Sequence, residues 1–583
     1  MNLYCNPLNI EYKFSHYGKV ATREAADPTI IYFKGKYYIF ASMSAGFYHS
    51  EDLTHWEWHE NRKLDLYRYA PDVRQIGDHM YFCASSRKRS SIWRTKDPLS
   101  DQFERVSEPF AFWDPALFYD EETGKSYLYE GCGNDPLYVH EMDTKTMLPI
   151  GDKVQVMDSA PKKHGFERRE CEGIHKPEQV GFLMKHVEPL VNPKHKPYIE
   201  GAFMNRFNGR YYFQYAAPGT EINTYADGVY VSDKGPMEGF EYQTHNPYSF
   251  VPSGFITGAG HGSTIADKYG NLWHMATMRI SVNQSFERRI GLFPAGVDKD
   301  GILFCNQNFA AYPIDIPEGR FDPMSVKPAG MLLSYKKKGM ASSSLEGHGP
   351  ELALNEDIRE WWCAAKSAGE WYQLDLGKEY PVSSIQLNLA EEGIPSLHKK
   401  YPRKERAGDI STNYRYVDSS RDHLVTRYVM EGSLDGKEWF LLKDASKADT
   451  DLSHDFLIFP EKIRVRYVKI TAIKLSYDSK FAISGLRVFG YDSGKKPVQT
   501  SGIHAKRIGT MDARITWKEQ KDAIGYNVRY GIAPDKLYNS YLIYGKNSVL
   551  ITTLNEEADE YYAAVDSFNE SGITEGEIHK LEA

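Results

Sequence analysis

One pattern recurs five times in the first half of the chain, and it constrains the fold more than any other feature. Each copy has an acidic or small first residue, an apolar strand, a turn at or near glycine, and then an aromatic strand. This alternation predicts a β-hairpin. Five such hairpins at blade-like spacing favour a β-propeller over a sandwich. The copies are DPTIIYFKGKYYIFAS from Asp27, APDVRQIGDHMYFCAS from Ala70, DPALFYDEETGKSYLYEG from Asp114, EGAFMNRFNGRYYFQYA from Glu200 and HGSTIADKYGNLWHMAT from His261.

The first residues of the five copies are candidate functional residues. In a propeller, equivalent positions of all blades converge on the central axis. Asp27, Ala70, Asp114, Glu200 and His261 are equivalent to within one residue, so three carboxylates and a histidine should meet at one end of the channel. A single Asp-Pro is equally well explained as a turn. Three carboxylates at matched positions indicate that they act together in one chemical site.

Composition narrows the functional class. Aromatic residues make up 14 % of the 583 residues and include 41 tyrosines, which suits strands and also suits stacking against sugar rings. The net charge of −8 is spread along the chain and argues against a nucleic-acid partner. No apolar run reaches the roughly 18 residues that a membrane span needs, which argues against a membrane partner.

The six cysteines show no metal-site or disulfide spacing and read as free thiols. No signal peptide is visible. We therefore expect a cytoplasmic location, or a secreted or periplasmic one if a leader has been removed. The sequence does not indicate an oligomeric state.

Taken in order, the motifs ADPTIIYFKGKYYIF, YAPDV, WDPALFYD, YIEGAFMNRFNGRYYFQYA and GAGHGST resemble glycoside hydrolase family 43 over residues 20–315. The resemblance implies a five-bladed propeller that cleaves glycosidic bonds with inversion. It implies Asp27 as general base and Glu200 as general acid. Asp114 would orient the acid and raise its pKa. No cofactor is implied for the chemistry, but His261 is similar to an axial histidine that contacts water or a calcium ion; the alternative is a hydrogen-bonded core histidine.

Further residues are candidate sugar contacts. Arg289 takes the family's late arginine position, with Arg288 as the alternative, because strand alternation lets only one face inward. The remaining candidates each have ordinary packing or a solvated loop as the alternative: Trp113, Phe47, Tyr225, and His164 in the charged segment 161–173 with Arg168 and Glu170.

The blade pattern stops near residue 325, and two β-sandwiches are predicted beyond it. Residues 326–492 resemble the discoidin, or coagulation factor type C, domain through LDLG at 374–377 and GSLDG at 432–436. The polar insertion 391–423 would lie among its loops. Residues 493–583 contain Trp517 in ARITWKEQ, YNVRY at 526–530 and Leu554 seven residues before Tyr561. They resemble a fibronectin type III domain, whose Leu-to-Tyr spacing marks the tyrosine-corner region. The predicted organisation is therefore all-β: a propeller over 1–325, a sandwich over 326–492 and a sandwich over 493–583.

We expect an exo-acting inverting glycosidase of plant polysaccharides or oligosaccharides, an α-L-arabinofuranosidase or a β-D-xylosidase. The alternatives are an exo-β-galactosidase of the same fold and an inactive, lectin-like glycan-binding protein. We also expect residues 1–325 to contain every group that catalysis needs.

Overall fold

The computed structural model describes residues 2–17, 20–64, 69–169, 196–280, 286–394, 416–418 and 424–582. In these ranges the chain consists of strands, turns and short 3₁₀ segments. The 3₁₀ segments are Pro98–Ser100, Gly165–Glu167, Pro323–Ser325, Pro350–Leu354 and Ser476–Asp478. Among the described residues, none of the helical segments has the length or apolarity to traverse a membrane.

A short N-terminal segment precedes the repeats. It forms β1 (Leu3–Tyr4), β2 (Lys13–Tyr17) and β3 (Val20–Glu24). Strands β2 and β3 pair as a hairpin, with Phe14 opposite Arg23. The end of β3 at Glu24 leads directly into the first repeat, whose strand begins at Ala26.

Each repeat forms the first two strands of a four-stranded antiparallel sheet, and the described residues contain five such sheets. Blade 1 contains β4 (Ala26–Phe33), β5 (Lys36–Ser42), β6 (Gly46–Ser50) and β7 (Glu57–Glu60). Blade 2 and its flank contain β8 (Asp72–Ile76), β9 (His79–Cys83), β10 (Ser86–Ser90), β11 (Trp93–Thr95), β12 (Glu104–Arg105) and β13 (Phe110–Phe112), where β10 and β13 form a separate pair. The five-bladed propeller expected from the repeats is confirmed.

The later blades follow the same order. Blade 3 contains β14 (Ala116–Asp120), β15 (Lys125–Glu130), β16 (Leu137–Met142) and β17 (Pro149–Met157). Blade 4 contains β18 (Glu200–Phe207), β19 (Arg210–Ala217), β20 (Ala226–Ser232) and β21 (Glu241–Tyr242). Blade 5 contains β22 (Thr257–Ala266), β23 (Leu272–Arg279), β24 (Arg288–Val297) and β25 (Leu303–Cys305). Blade 5 meets blade 1 through Ser263, whose Oγ donates to Pro28 O and accepts from Ile30 N.

The second unit is one eight-stranded sheet in the described part of the chain. After β26 (Ile314–Asp315), which pairs with β1, it comprises β27 (Met331–Leu332), β28 (Lys338–Ala341), β29 (Trp362–Cys363), β30 (Trp371–Leu389), β32 (Arg427–Ser433), β33 (Phe440–Asp444), β34 (His454–Lys474) and β35 (Ala482–Gly490). The intervening β31 (Tyr416–Asp418) belongs to the polar insertion and pairs with β2 of the propeller. The rest of that insertion, 395–415 and 419–423, lies outside the described residues.

The third unit contains β36 (Ser501–Arg507), β37 (Ala513–Lys518), β38 (Gly525–Gly531), β39 (Asn539–Tyr544), β40 (Ser548–Ile551), β41 (Tyr562–Asn569), β42 (Gly572–Thr574) and β43 (Ile578–Lys580). Its two sheets are β36-β37-β40 and β39-β38-β41 with β42 and β43. Tyr561 accepts a hydrogen bond from Asn555 N, the contact expected of a tyrosine corner. The discoidin and fibronectin assignments, and the domain boundaries, stay predictions.

The C-terminal units are packed into the propeller. One buried apolar cluster joins blades 3 and 4 to the third unit, so that Phe166 and Phe250 share a core with Tyr541 and Leu554. The second unit has its own core around Trp362, Leu387 and Val468, and its Ile358 shares a further buried cluster with Met278 of blade 5. The packing therefore fixes both units against the blades that carry the candidate site.

Candidate active site

A left-handed backbone and a β-bulge place the first residue of each repeat. Asp27, Ala70, Asp114 and His261 have φ of 48°, 46°, 46° and 47°, a region that few residues other than glycine adopt. Strand register shifts beside Asp27, Glu200 and His261, and such bulges re-aim side chains near functional sites.

In blade 4 the left-handed position falls one residue after the candidate functional residue, Glu200. That position is Gly201, with φ of 65°, and a Cβ there would lie 2.8 Å from His261 Cγ. Only glycine fits, and this explains why Glu200 precedes the equivalent position.

Asp27 lies in a cationic, hydrogen-bonded setting. The side chain is 5 % exposed. Arg288 Nη1 donates to Asp27 Oδ1 over 2.9 Å, and Ser42 Oγ donates to Oδ2 over 2.6 Å. His261 Nδ1 lies 3.6 Å from Oδ1. Burial opposes ionisation, but Arg288 and His261 outweigh it and lower the pKa of Asp27 below its usual value. Asp27 is therefore a carboxylate at neutral pH.

Asp114, Glu200 and His261 form a compact cluster beside Asp27. One side-chain donor atom from each lies within 4.8 Å of the other two. Burial, then repulsion from Glu200 and Asp27, raise the pKa of Asp114 to about 7, although His261 opposes the shift. Burial disfavours charge on His261, but Asp27, Asp114 and Glu200 raise its pKa above the usual value. The cluster holds protons near neutral pH while Asp27 stays ionised.

Both carboxyl oxygens of Glu200 accept hydrogen bonds from uncharged donors. Tyr225 Oη donates to Oε1 over 2.6 Å, and Cys132 Sγ donates to Oε2 over 3.2 Å. Tyr225 is fully buried, so it orients Glu200 and is not the sugar platform expected from the sequence. Trp113 is half-buried beside Asp114 and stays a candidate platform.

Comparison with known proteins identifies the domain that carries this cluster. Residues 19–303 match the family model described as glycosyl hydrolases family 43. These residues, just under half of the chain, therefore form a glycosidase domain that is similar to this family. No curated protein sequence matches the chain.

The solved structures that this chain resembles at low identity include the following two. The GH43 BlXynB protein from Bacillus licheniformis is 14 % identical, covering 84 % of this chain and 100 % of that chain, with a TM-score of 0.40. An exo-1,5-alpha-L-arabinanase from a bovine ruminal metagenomic library is 20 % identical, covering 49 % of this chain and 97 % of that chain, with a TM-score of 0.35. Similarity at this level does not identify the substrate of the glycosidase domain.

A hydroxyl near the end of the second strand of blades 1, 2 and 5 accepts a hydrogen bond from the backbone of the next blade's first residue. Ser85 Oγ donates to Asp114 Oδ1 and accepts from Asp114 N, each over 2.8 Å. Ser42 accepts from Ala70 N and Thr277 accepts from Asp27 N, each over 2.7 Å. Each hydroxyl thus binds the first residue of the next blade. Sequence reasoning missed these residues, although each one ends its repeat.

Arg288, not Arg289, is the arginine of the glycosidase site. Arg289 begins the same strand but faces the other way, where its Nε donates to His454 Nε2 of the second unit over 2.7 Å. Arg289 is fully buried, so no sugar can reach it. We therefore correct the expected late arginine to Arg288, the open alternative.

Two further expected sugar contacts are structural. Phe47 is fully buried and stacks on Phe40 at 4.9 Å in the core between blades 1 and 2. His164 is 3 % exposed, stacks on Tyr242 at 3.5 Å and bonds Glu167 over 2.9 Å. It packs where segment 161–169 meets the third unit, and Arg168 pairs there with Asp512. Glu170 lies outside the described residues.

The cluster around His261 could supply only part of the coordination sphere of a calcium ion, and water would have to supply the rest. Calcium takes six to eight oxygen ligands, whereas Asp114, Glu200 and His261 offer two carboxyl groups and one imidazole nitrogen. The imidazole must also be neutral to bind a metal, and its carboxylate neighbours favour the cation. His261 is thus better explained as a charge partner of Asp27 than as the expected metal ligand.

Proposed function

We propose that the glycosidase domain is an inverting, exo-acting hydrolase, an α-L-arabinofuranosidase or a β-D-xylosidase, with Asp27 as base and Glu200 as acid. The inverting mode and the choice of sugar follow from the family resemblance. The observation that supports the two roles is a contrast in charge. Asp27 is paired with Arg288, whereas Asp114 and Glu200 lie next to each other and have His261 as a neighbour.

The proposed reaction needs one ionised and one protonated carboxyl group on opposite sides of the scissile bond. Asp27 takes a proton from a water, whose oxygen attacks the anomeric carbon. The bond from that carbon to the leaving oxygen breaks, and Glu200 gives its proton to that oxygen. Attack from the face opposite the leaving group inverts the anomeric configuration.

Protonation of the acid side follows from electrostatics. Burial, with repulsion from Glu200, raises the pKa of Asp114 to about 7. Asp114 therefore holds a proton near neutral pH, and the adjacent Glu200 is proposed to pass a proton to the leaving oxygen. Arg288 forms ion pairs with Asp27 and Glu24, so its charge is already balanced and does not neutralise Asp114 and Glu200.

The experiment is turnover of nitrophenyl α-L-arabinofuranoside, β-D-xyloside and β-D-galactoside, with early proton NMR of the released sugar. We expect hydrolysis of one of the first two, with the inverted anomer appearing first. The retained anomer would contradict the inverting mode, and preference for the galactoside would support the alternative sugar. Failure on all three substrates, together with measurable sugar binding, would favour the lectin-like alternative.

Exo action is tested on linear arabino- and xylo-oligosaccharides. An exo enzyme releases only monosaccharide in the first few per cent of the reaction. Early release of dimers or trimers would contradict the exo proposal while leaving the catalytic roles intact.

A further inference from the structure

Two pairs of consecutive residues connect the candidate site to the second unit. Arg23 and Glu24 end β3, and Arg288 and Arg289 begin β24. Alternation along a strand sends neighbouring side chains to opposite faces. In both pairs one side chain faces Asp27 and the other faces the second unit.

On the site side, Arg288 is held between two carboxylates. Its Nη2 donates to Glu24 Oε1 over 2.8 Å and its Nη1 donates to Asp27 Oδ1 over 2.9 Å. Arg288 is 3 % exposed and Glu24 is fully buried. The position of Asp27 therefore depends on where the ends of β3 and β24 lie.

On the opposite side, Arg23 is fully buried among groups of the second unit. Its Nε donates to Glu391 Oε1 over 2.5 Å, its Nη1 donates to Asp451 Oδ2, and its Nη2 donates to Ser476 Oγ over 2.9 Å. Glu391 and Asp451 are 4 % and 2 % exposed. Such a pair is costly to break, because one partner is left as an uncompensated buried charge.

Arg289 ties the two strands together on this face. Its Nη1 donates to Arg23 O over 2.6 Å, and its Nε donates to His454 Nε2 over 2.7 Å. His454 Nδ1 lies 2.8 Å from Asn388 Oδ1, which assigns the proton to Nδ1. Burial, with Arg289 and Arg23, lowers the pKa of His454 well below its usual value. The imidazole is thus a neutral acceptor for Arg289.

We propose that Glu391 and Asp451 of the second unit are positioning residues for Asp27, acting through Arg23, Glu24 and Arg288. This inference rests on the proposed role of Asp27 as base. The carboxylates fix Arg23, Arg23 fixes the end of β3, and Glu24 on β3 fixes Arg288 against Asp27. Displacements of about 1 Å at a reacting group cost up to about a hundredfold in rate.

The second unit would then be part of the catalytic apparatus, contrary to the expectation that residues 1–325 suffice. Every group that touches the sugar would still come from the propeller. The second unit would add the buried carboxylates of Glu391 and Asp451, which pair with Arg23.

The test compares two isosteric substitutions in the full chain. Asp451→Asn removes one countercharge of Arg23. Glu356→Gln is the matched control, because Glu356 is also buried and pairs with Arg487 over 2.9 Å where the second unit meets the propeller. Arg487 contacts Ala311 and Cys5, away from Asp27. Glu391→Gln, which leaves Asp451 in place, is the second test variant if Asp451→Asn folds poorly.

We expect both substitutions to lower Tm, but only Asp451→Asn or Glu391→Gln to lower kcat, by about tenfold or more with KM within threefold. The acid limb of kcat/KM should also move to higher pH, because Asp27 loses its fixed cation. A folded Asp451→Asn enzyme with kcat within twofold of wild type and an unchanged acid limb would overturn the proposal. An equal loss of kcat in Glu356→Gln would also overturn it, since the effect would then be general destabilisation.

A failure of the proposed function gives a different result. If Asp27→Asn retains wild-type kcat, Asp27 is not the base, and the proposed function fails first. If Asp27→Asn is inactive while Asp451→Asn keeps both its rate and the Arg288–Asp27 contact in a crystal structure, the positioning role alone is wrong.

Discussion

Asp27 and Asp114 are a matched pair with opposite electrostatics. Each opens the first strand region of its blade with left-handed φ, 48° and 46°. Each is 5 % exposed and accepts a hydrogen bond from a serine at or just beyond the end of a second strand. Yet the pKa of Asp27 is lowered and that of Asp114 is raised to about 7.

The difference comes from one neighbour on each side. Arg288 reaches Asp27 from β24, whereas Glu200 reaches Asp114 from blade 4. The repeat sets the position of both aspartates, and the neighbours that other blades supply set their protonation. Pushing two carboxyl pKa values apart is how one site assigns a base and an acid.

The largest effect should come from removing the base. Asp27→Asn keeps the shape but cannot accept a proton from water, so we expect kcat to fall by about 10³-fold, within the range for general base groups. The measurement is kcat on the best nitrophenyl glycoside. Circular dichroism and Tm control for folding, and near-normal kcat in a folded variant would remove Asp27 from the mechanism.

The acid should respond differently to the leaving group. Glu200→Gln cannot donate a proton, so we expect a loss of about 10²- to 10³-fold on a disaccharide. A dinitrophenyl glycoside, whose leaving oxygen needs little protonation, should recover much of that loss. Asp27→Asn is the matched control, because it should show no recovery. Equal losses on both substrates would exclude Glu200 as acid.

Removing the cation beside Asp27 makes its surroundings more like those of Asp114, and so tests whether Arg288 causes the difference in pKa. Arg288→Gln removes the cation, so burial should raise the pKa of Asp27. A base is active only when ionised, so activity is lost as pH falls through its pKa. The acid limb of the pH profile of kcat/KM should therefore move to higher pH. At pH values below the optimum, kcat/KM should fall about 30- to 100-fold.

Arg288→Lys, which restores a charge, is the control and should keep most of the acid limb at low pH. In wild type, the basic limb should lie near pH 7, where Asp114 loses its proton. An unmoved acid limb in a folded Arg288→Gln enzyme would show that Arg288 does not set the pKa of the base.

The sequence predicts which repeat residues form the site, but it does not predict the direction in which the residues around them point. Asp27, Asp114, Glu200 and His261 could be predicted because the repeat supplies their equivalence. Arg288 and Arg289 are adjacent, and nothing local says which one a strand turns inward. The buried partners of Arg289 lie far along the chain, in β34.

Other assignments failed for a similar reason. Phe47 and His164 have residue types that suit sugar stacking, but only the packing of blades 1 and 2, and of the third unit, shows that they are buried. Ser42 and Ser85 could have been found, since both close a repeat. Cys132 could not, because its contact with Glu200 crosses from blade 3 to blade 4.

The smallest effect should come from the hydroxyl that orients the acid. Tyr225→Phe removes the donor to Glu200 Oε1 and keeps the buried ring, so we expect kcat to fall about three- to tenfold, the loss of one hydrogen bond to a carboxyl group. Because the ring remains, Tm should change little. Tyr212→Phe is the matched control: Tyr212 is equally buried in blade 4, but its hydroxyl donates to Gly301 O, away from the site. The dinitrophenyl glycoside sharpens the comparison, since a defect confined to the acid should shrink on that substrate. A loss that stays the same on both substrates would mean that Tyr225 supports the whole site, and that the acid side is held as rigidly as the base side.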